Sequence, residues 1–415
     1  MKVPIPYGST TITIEIPESN ILGILEPKSF EVKDESKVLS MAVENPVNFE
    51  SLQSFLEGKK NITIVVNDHE RPTPTAKILK PIARYLKDHD FTILVASGAH
   101  RPPTEGELRR ILGEFYKTMR SRVKIHNCRD RSILTLIGKT GYDTDVYVNN
   151  LILDSDGIIA TGSVEPHYFA GFTGGRKFLL PGVVGYETIE HNHMYALDKR
   201  AQPLVLKDNP VHEDMMDALN LLDRYEDIFS IMTVLDAERK VCFAYSGHIK
   251  DVFKHSVKAS IKVHCVKLNE KADIVIAIAG PPLDISLYQA QKAIEHAKMA
   301  LKEGGLLILV AECRDGIGPR NFYDLLSSAT SPSEVFDKIK QQYRLGYHKA
   351  ARIADLLSWA ELWAYTSMKS ELLRKIFIKP YSDLQKAIDD ALRERGKNSK
   401  ILIIKDASLL VPIVK

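Results

Sequence analysis

Three short polar segments carry side chains that bind anions, exchange protons or ligate metals, and each follows an apolar run. Asn67-Asp68-His69-Glu70-Arg71-Pro72 follows Ile62 to Val66, and Ser97-Gly98-Ala99-His100-Arg101 follows Phe91 to Ala96. The third runs from Ser163 through Glu165-Pro166-His167 to Gly174-Gly175-Arg176-Lys177, after Gly157 to Thr161. Arg71 offers a planar fork suited to a carboxylate, with Asp68 placed to orient it or to hold a ribose hydroxyl. Three positions apart, the two could equally pair with each other at little gain. His100 suits proton transfer near neutral pH, or an ordinary turn. Gly171, Gly174 and Gly175 would let backbone approach a phosphate, with Lys177 as a further contact or as a plain surface cation. The spacing is not that of a Walker A loop, and no G-x-G-x-x-G stands at a strand end, which weakens an ordinary NAD reading.

Beyond that loop, His191 and His193 lie two apart, so on a helix they do not face one ligand. One of them, with His167, could hold a metal that favours imidazole, such as nickel, zinc or copper; a solvated polar turn fits the pair as well. Further on, Tyr288 and Lys292 share a helical face with Gln289 beside them, as a binding edge or as a solvated first turn. The remaining histidines, including His126 and His264, read as structural.

The elements that must position these residues follow from periodicity. Thr11 to Ile16 alternates as a half-buried strand; Ile62 to Val66 and Phe91 to Ala96 are the β-branched runs of strands buried on both faces. Between them Pro74 to Leu86 puts Ile78, Leu79, Ile82, Ala83 and Leu86 on one helical face. Thr104 and Glu107 form a capping box that opens a helix through Lys117. Val123 to His126, Val146 to Val148 and Gly157 to Thr161 are further strands. The same order returns with Ala272 to Ala279, a helix from Leu287 to Lys302, Gly305 to Ala311, Leu362 to Thr366 and Ile401 to Ile404. An α/β fold follows, with two domains each built on a mainly parallel, doubly wound sheet. The expected domains are residues 1–268 and 272–400, with a 401–415 tail that could return to the first. In such sheets ligands bind beyond the carboxyl ends of the strands, which is where the three polar segments fall.

Composition narrows the function. Over 415 residues, 56 Lys and Arg face 53 Asp and Glu, so the net charge of +3 makes no electrostatic case for nucleic acid or anionic membrane. No apolar run nears the roughly 20 residues of a membrane span, and the first residues lack the apolar stretch of a secretory signal. The four cysteines are widely spaced, as expected of free thiols in a reducing cytoplasm.

Taken in order, Asp68-x-x-Arg71, Ser97-Gly98-x-His100-Arg101, Glu165-Pro166-His167, Gly174-Gly175-Arg176-Lys177, His193 and Tyr288-Gln289-x-x-Lys292 resemble the nickel-pincer lactate racemase family. The resemblance implies an active site in the cleft between two α/β domains and a racemase or epimerase of a 2-hydroxy acid. It implies a covalently held nickel-pincer pyridinium mononucleotide, joined through a thioamide arm to Lys177, with His193 completing the nickel coordination. Asp68, Gly174 and Gly175 would bind this cofactor. His100 and His167 would be alternate acid/base groups, and Arg71, Tyr288, Gln289 and Lys292 would contact substrate or cofactor phosphate. Hydride abstraction avoids a carbanion beside a carboxylate, and two enantiomers present their hydroxyls to different sides, hence two bases. Cofactor-biosynthesis enzymes are implied as partners, and a homo-oligomer is compatible with the sequence.

One departure lies at Leu345-Gly346-Tyr347-His348-Lys349, where lactate-type members have a tryptophan nearby. It leaves room for a larger or more polar acid, with His348 or Lys349 as specificity contacts. Two other functions fit parts of the pattern. One is a zinc hydrolase using His167, His191 and His193, with Glu165 or Glu190 as base, although H-E-x-x-H is absent. The other is a non-catalytic nucleotide-binding module built on the Gly-rich loop.

Overall fold

A computed structural model describes residues 1–222 and 227–414. The chain forms two compact units, Lys28–Val263 and a second assembled from Met1–Pro27 with His264–Lys415.

In the unit Lys28–Val263 the apolar runs become the centre of a six-stranded sheet. Its order is Val241–His248, Ile228–Leu235, Gly157–Ser163, Asn61–Asn67, Asp90–Ala96, Val123–Ile125. All neighbours are parallel except the edge strand Val241–His248. Ile62, Thr63, Ile64, Val65 and Val66 are all buried, as expected of a strand covered on both faces. The helix Thr75–Ile82 buries Ile78, Leu79 and Ile82 against this sheet's core, and Thr104 and Glu107 form the expected capping box of the helix Glu105–Leu112. Asn67 pairs with Ala96, so the segments beginning at Asp68 and Ser97 leave the sheet at one level.

One expected strand, at Val146 to Val148, lies outside the parallel sheet. Asp145–Asn149 pairs antiparallel with Leu134–Lys139 in a separate hairpin instead of joining the parallel sheet. Its burial alternates along most of its length, and alternation specifies a strand without naming its partner.

The second unit carries another six-stranded sheet, ordered Lys379–Tyr381, Glu361–Tyr365, Leu301–Val310, Ala272–Ile278, Ile401–Ile404, Ile21–Leu25, with every pair parallel. The domain boundaries expected from sequence are corrected here. Residues 1–27 belong with the second unit, because Ile21–Leu25 hydrogen-bonds to Ile401–Ile404, and Val3, Ile5, Ile14 and Ile16 join the core of that sheet. The tail also stays in this unit: Ile401–Ile404 is an inner strand and Val411–Val414 pairs with Cys265–Leu268. Among the described residues no helix is long and apolar enough to cross a membrane.

Candidate active site

In the unit Lys28–Val263 the polar segments do gather at the strand ends. Asp68, the first residue after its strand, is buried, and its Oδ2 lies 2.7 Å from Nδ1 of His100. Its other oxygen, Oδ1, accepts from the Glu70 backbone N–H at 3.2 Å. Burial pushes the Asp68 pKa up, but the hydrogen bond from His100 and the charges of His100, Arg71 and His69 outweigh it and hold it below the usual value. A carboxylate can only accept, so His100 carries its proton on Nδ1 and turns Nε2 outward as an acceptor. The pairing of Asp68 with Arg71, open on sequence, is not a side-chain contact: Arg71 meets Asp68 through a backbone hydrogen bond at 3.3 Å. Arg101 is spent on structure, with two bonds of 2.7 and 2.6 Å to Glu107 in the helix cap.

His167 stands on the two-residue strand Pro166–His167, which pairs with Gly171–Phe172. The Ala170 N–H donates to its Nδ1 at 3.3 Å, so the neutral ring bears its proton on Nε2. The two histidines therefore differ: His100 has a carboxylate at its Nδ1, whereas the Nδ1 of His167 accepts from the Ala170 N–H.

Phe169, which sequence reasoning passed over, is the residue around which the rest assemble. Its ring centroid lies 4.5 Å from that of His167 and 5.2 Å from that of His193, and the Lys177 ammonium sits 5.5 Å from it. An aromatic between His167 and the first glycine was the available signal. His193 lies on the helix Tyr186–Met194. Burial, then the charges of Lys177, His100 and Arg71, lower its pKa to about 3, against a smaller opposing effect of the backbone at Ile189. It is thus a neutral imidazole throughout the physiological range, with a lone pair to offer a soft metal.

The glycines work for the protein itself. A Cβ on Gly174 would come within 2.5 Å of Val164, and one on Gly175 within 2.7 Å of Phe253. Both residues also have positive φ, 75° and 52°. Their small size and left-handed backbone are therefore needed for close packing. Arg176 fastens the same loop: it is 1 % exposed and donates to the carbonyls of Phe172, Gly174 and Ala170 at 2.9, 3.3 and 2.6 Å. Burial lowers its pKa to about 9. Replacing Arg176 by leucine removes three hydrogen bonds, although the Ala170 and Gly174 carbonyls keep the N–H groups of Phe172 and Lys177, and an expected loss of about 2 kcal/mol should appear in equilibrium urea unfolding; an unchanged midpoint would show that the loop holds without it.

His191 points elsewhere, stacked on Tyr195 at 5.7 Å, whose hydroxyl bonds to the Tyr142 carbonyl. Among the described residues no group of three or more His, Cys, Asp or Glu side chains is placed to hold a metal. The three-histidine zinc site weighed on sequence is therefore not assembled. His126 is a satisfied core histidine, held by Val184 and Asn149.

In the second unit, Tyr288, Gln289 and Lys292 lie in the first turns of the helix Leu287–Ala297, capped by Ser286. Lys349 braces this turn: its ammonium donates to the Tyr288 carbonyl and sits 3.7 Å from the ring centroid. His348 is tied to the Tyr343 hydroxyl at 3.0 Å. Both are buried, and the contact of Lys349 with Tyr288 is a link that spacing alone does not reveal.

The lactate racemase N-terminal domain matches residues 7–203, and the lactate racemase C-terminal domain matches residues 267–411. The chain belongs to the lactate racemase family. It is 33 % identical to a lactate racemase of Thermoanaerobacterium thermosaccharolyticum, over 98 % of this chain and 97 % of the relative. It is 31 % identical to that of Lactiplantibacillus plantarum, over 98 % of each. The solved lactate racemase apoprotein from T. thermosaccharolyticum superposes with a TM-score of 0.92 at 30 % identity, covering 100 % of both chains. Both unit folds are thus those of this family.

Proposed function

We propose that the protein racemises or epimerises a 2-hydroxy acid, lactate or a larger relative, with a nickel-pincer nucleotide joined to Lys177 and His100 and His167 as alternate acid/base groups. The observation that carries the reading is the gathering of His167, Lys177 and His193 about the ring of Phe169. The lactate racemases among its relatives support a racemase.

The residues fit such a cofactor. The described residues offer no cluster of three metal-ligating side chains, so a metal here would have to bring most of its own donors, as a pincer with sulfur arms does. His193 would supply the one protein donor, already neutral, and Lys177 the amine for attachment. When bound, the group supplies a reversible acceptor of hydride.

The rest of the chemistry falls to side chains. His100 Nε2 accepts the hydroxyl proton of one enantiomer while Asp68 stabilises the imidazolium that forms, and His167 takes that of the other enantiomer at Nδ1, giving up the Ala170 N–H as it does so. Arg71 holds the carboxylate, an anchor about which the planar keto group can turn to present either face. Tyr288, Gln289 and Lys292 are proposed as further substrate or phosphate contacts. Cofactor-biosynthesis enzymes would be needed to load the protein.

The test is to offer cofactor-loaded protein a panel of chiral 2-hydroxy acids and read the products by chiral chromatography. Interconversion of at least one acid to a racemic or epimeric mixture is expected; none across the panel would reject the reading.

A further inference from the structure

Two-base racemisation has a proton balance that the chemical step does not close. In one direction His100 gains the hydroxyl proton of the substrate while His167 loses a proton to the new hydroxyl. After release His100 is protonated and His167 is not, and the next turnover in that direction must wait until both are reset.

Asp68 cannot drain His100. Its side chain is 1 % exposed, it bonds to Nδ1, and the proton to be removed lies on Nε2. Glu70 is differently placed. Its Oε2 lies 3.6 Å from His100 Nε2, and its side chain is 35 % exposed, so one carboxylate faces both the working nitrogen and water. The neighbouring Arg101 does not compete for it, being committed to Glu107 through both terminal nitrogens. A partly exposed glutamate can also turn outward when a substrate hydroxyl takes its place at Nε2.

We propose that Glu70 is the proton exit of His100: between turnovers its carboxylate takes the proton from Nε2 and passes it to water, and in the opposite direction it returns one. The step moves a single proton along N–H to O–H to solvent, and no electrons are transferred. It rests on the acid/base role proposed for His100, and it makes Glu70 a relay acting through that residue.

The test is Glu70→Gln, a partly exposed substitution that keeps shape and removes the proton acceptor. In cofactor-loaded enzyme at low buffer concentration, steady-state turnover should fall about tenfold, a modest share of what proton transfer contributes to catalysis. Single-turnover racemisation with enzyme in excess should be unchanged, and added imidazole should restore the steady-state rate. An equal loss in single turnover, or no loss in either, would overturn the relay. A second readout needs no cofactor: exchange of the His100 Nε2–H with water, followed by NMR in the apoprotein at a pH low enough to protonate the ring, should slow in Glu70→Gln. If the wild-type enzyme interconverts no 2-hydroxy acid the functional reading fails, and this exchange rate still decides for Glu70, equal rates in the two proteins counting against it.

Discussion

Replacing Asp68 by asparagine is expected to lower kcat about a thousandfold in both directions while the protein stays folded, by analogy with the loss seen when a histidine's orienting aspartate becomes an amide. The reason lies in which oxygen does what. Oδ1 of Asp68 accepts from the Glu70 backbone N–H, and Oδ2 faces His100 Nδ1. An asparagine keeps the first bond only by placing its oxygen there, and that turns its NH2 toward His100. Nδ1 must then accept, the ring proton moves to Nε2, and the nitrogen that should take the substrate's hydroxyl proton has no lone pair left. The loss of the carboxylate also removes the charge that stabilises the imidazolium. Substrate binding should change far less than kcat, because Asp68 is buried behind the histidine. The tautomer can be read directly from the His100 ring nitrogen shifts in labelled protein. Full activity with the flipped tautomer would remove His100 from the proposed chemistry.

Much of this arrangement is legible in the sequence because strand ends in a parallel sheet mark where loops collect. Ile62 to Val66 and Phe91 to Ala96 are unambiguous runs, and two such strands in one sheet bring the segments holding Asp68 and His100 to the same end. The pairing between the two side chains is not legible: Asp68 and Arg71 are neighbours in sequence, and only the level register of Asn67 with Ala96 brings His100 to Asp68 instead. The tight packing at the glycines is not legible for a related reason: the side chains of Val164 and Phe253 that crowd Gly174 and Gly175 come from elsewhere in the fold. Phe169 escapes notice because an aromatic beside a glycine usually means core, and nothing local says that His167, Lys177 and His193 will surround it. The N-terminal residues fail differently: Ile21–Leu25 closes the edge of a sheet whose other strands come after residue 271, a pairing no local pattern encodes.

Lys177→Ala is expected to abolish both cofactor attachment and racemisation, and the two losses are separable. Lys177 lies in the short turn Gly175–Phe178, where its backbone N–H bonds to the Gly174 carbonyl at 3.2 Å and its carbonyl accepts from Gly182 at 3.3 Å. Alanine keeps both bonds, and the side chain it removes is partly exposed, so the loop should hold its shape. Intact-mass measurement of protein co-expressed with the cofactor-biosynthesis enzymes should then show the bare polypeptide mass, against an added nucleotide mass in the wild type. Lys177→Arg sharpens the test. It restores a cation facing Phe169, but the guanidinium stays protonated and does not form the amide-like link, so the adduct should be missing there too. If the arginine variant were active without an adduct, charge alone would be the requirement and the covalent part of the proposal would fall. If an adduct formed in Lys177→Ala, attachment would lie at another lysine, and the gathering of His167 and His193 around Phe169 would need a different occupant.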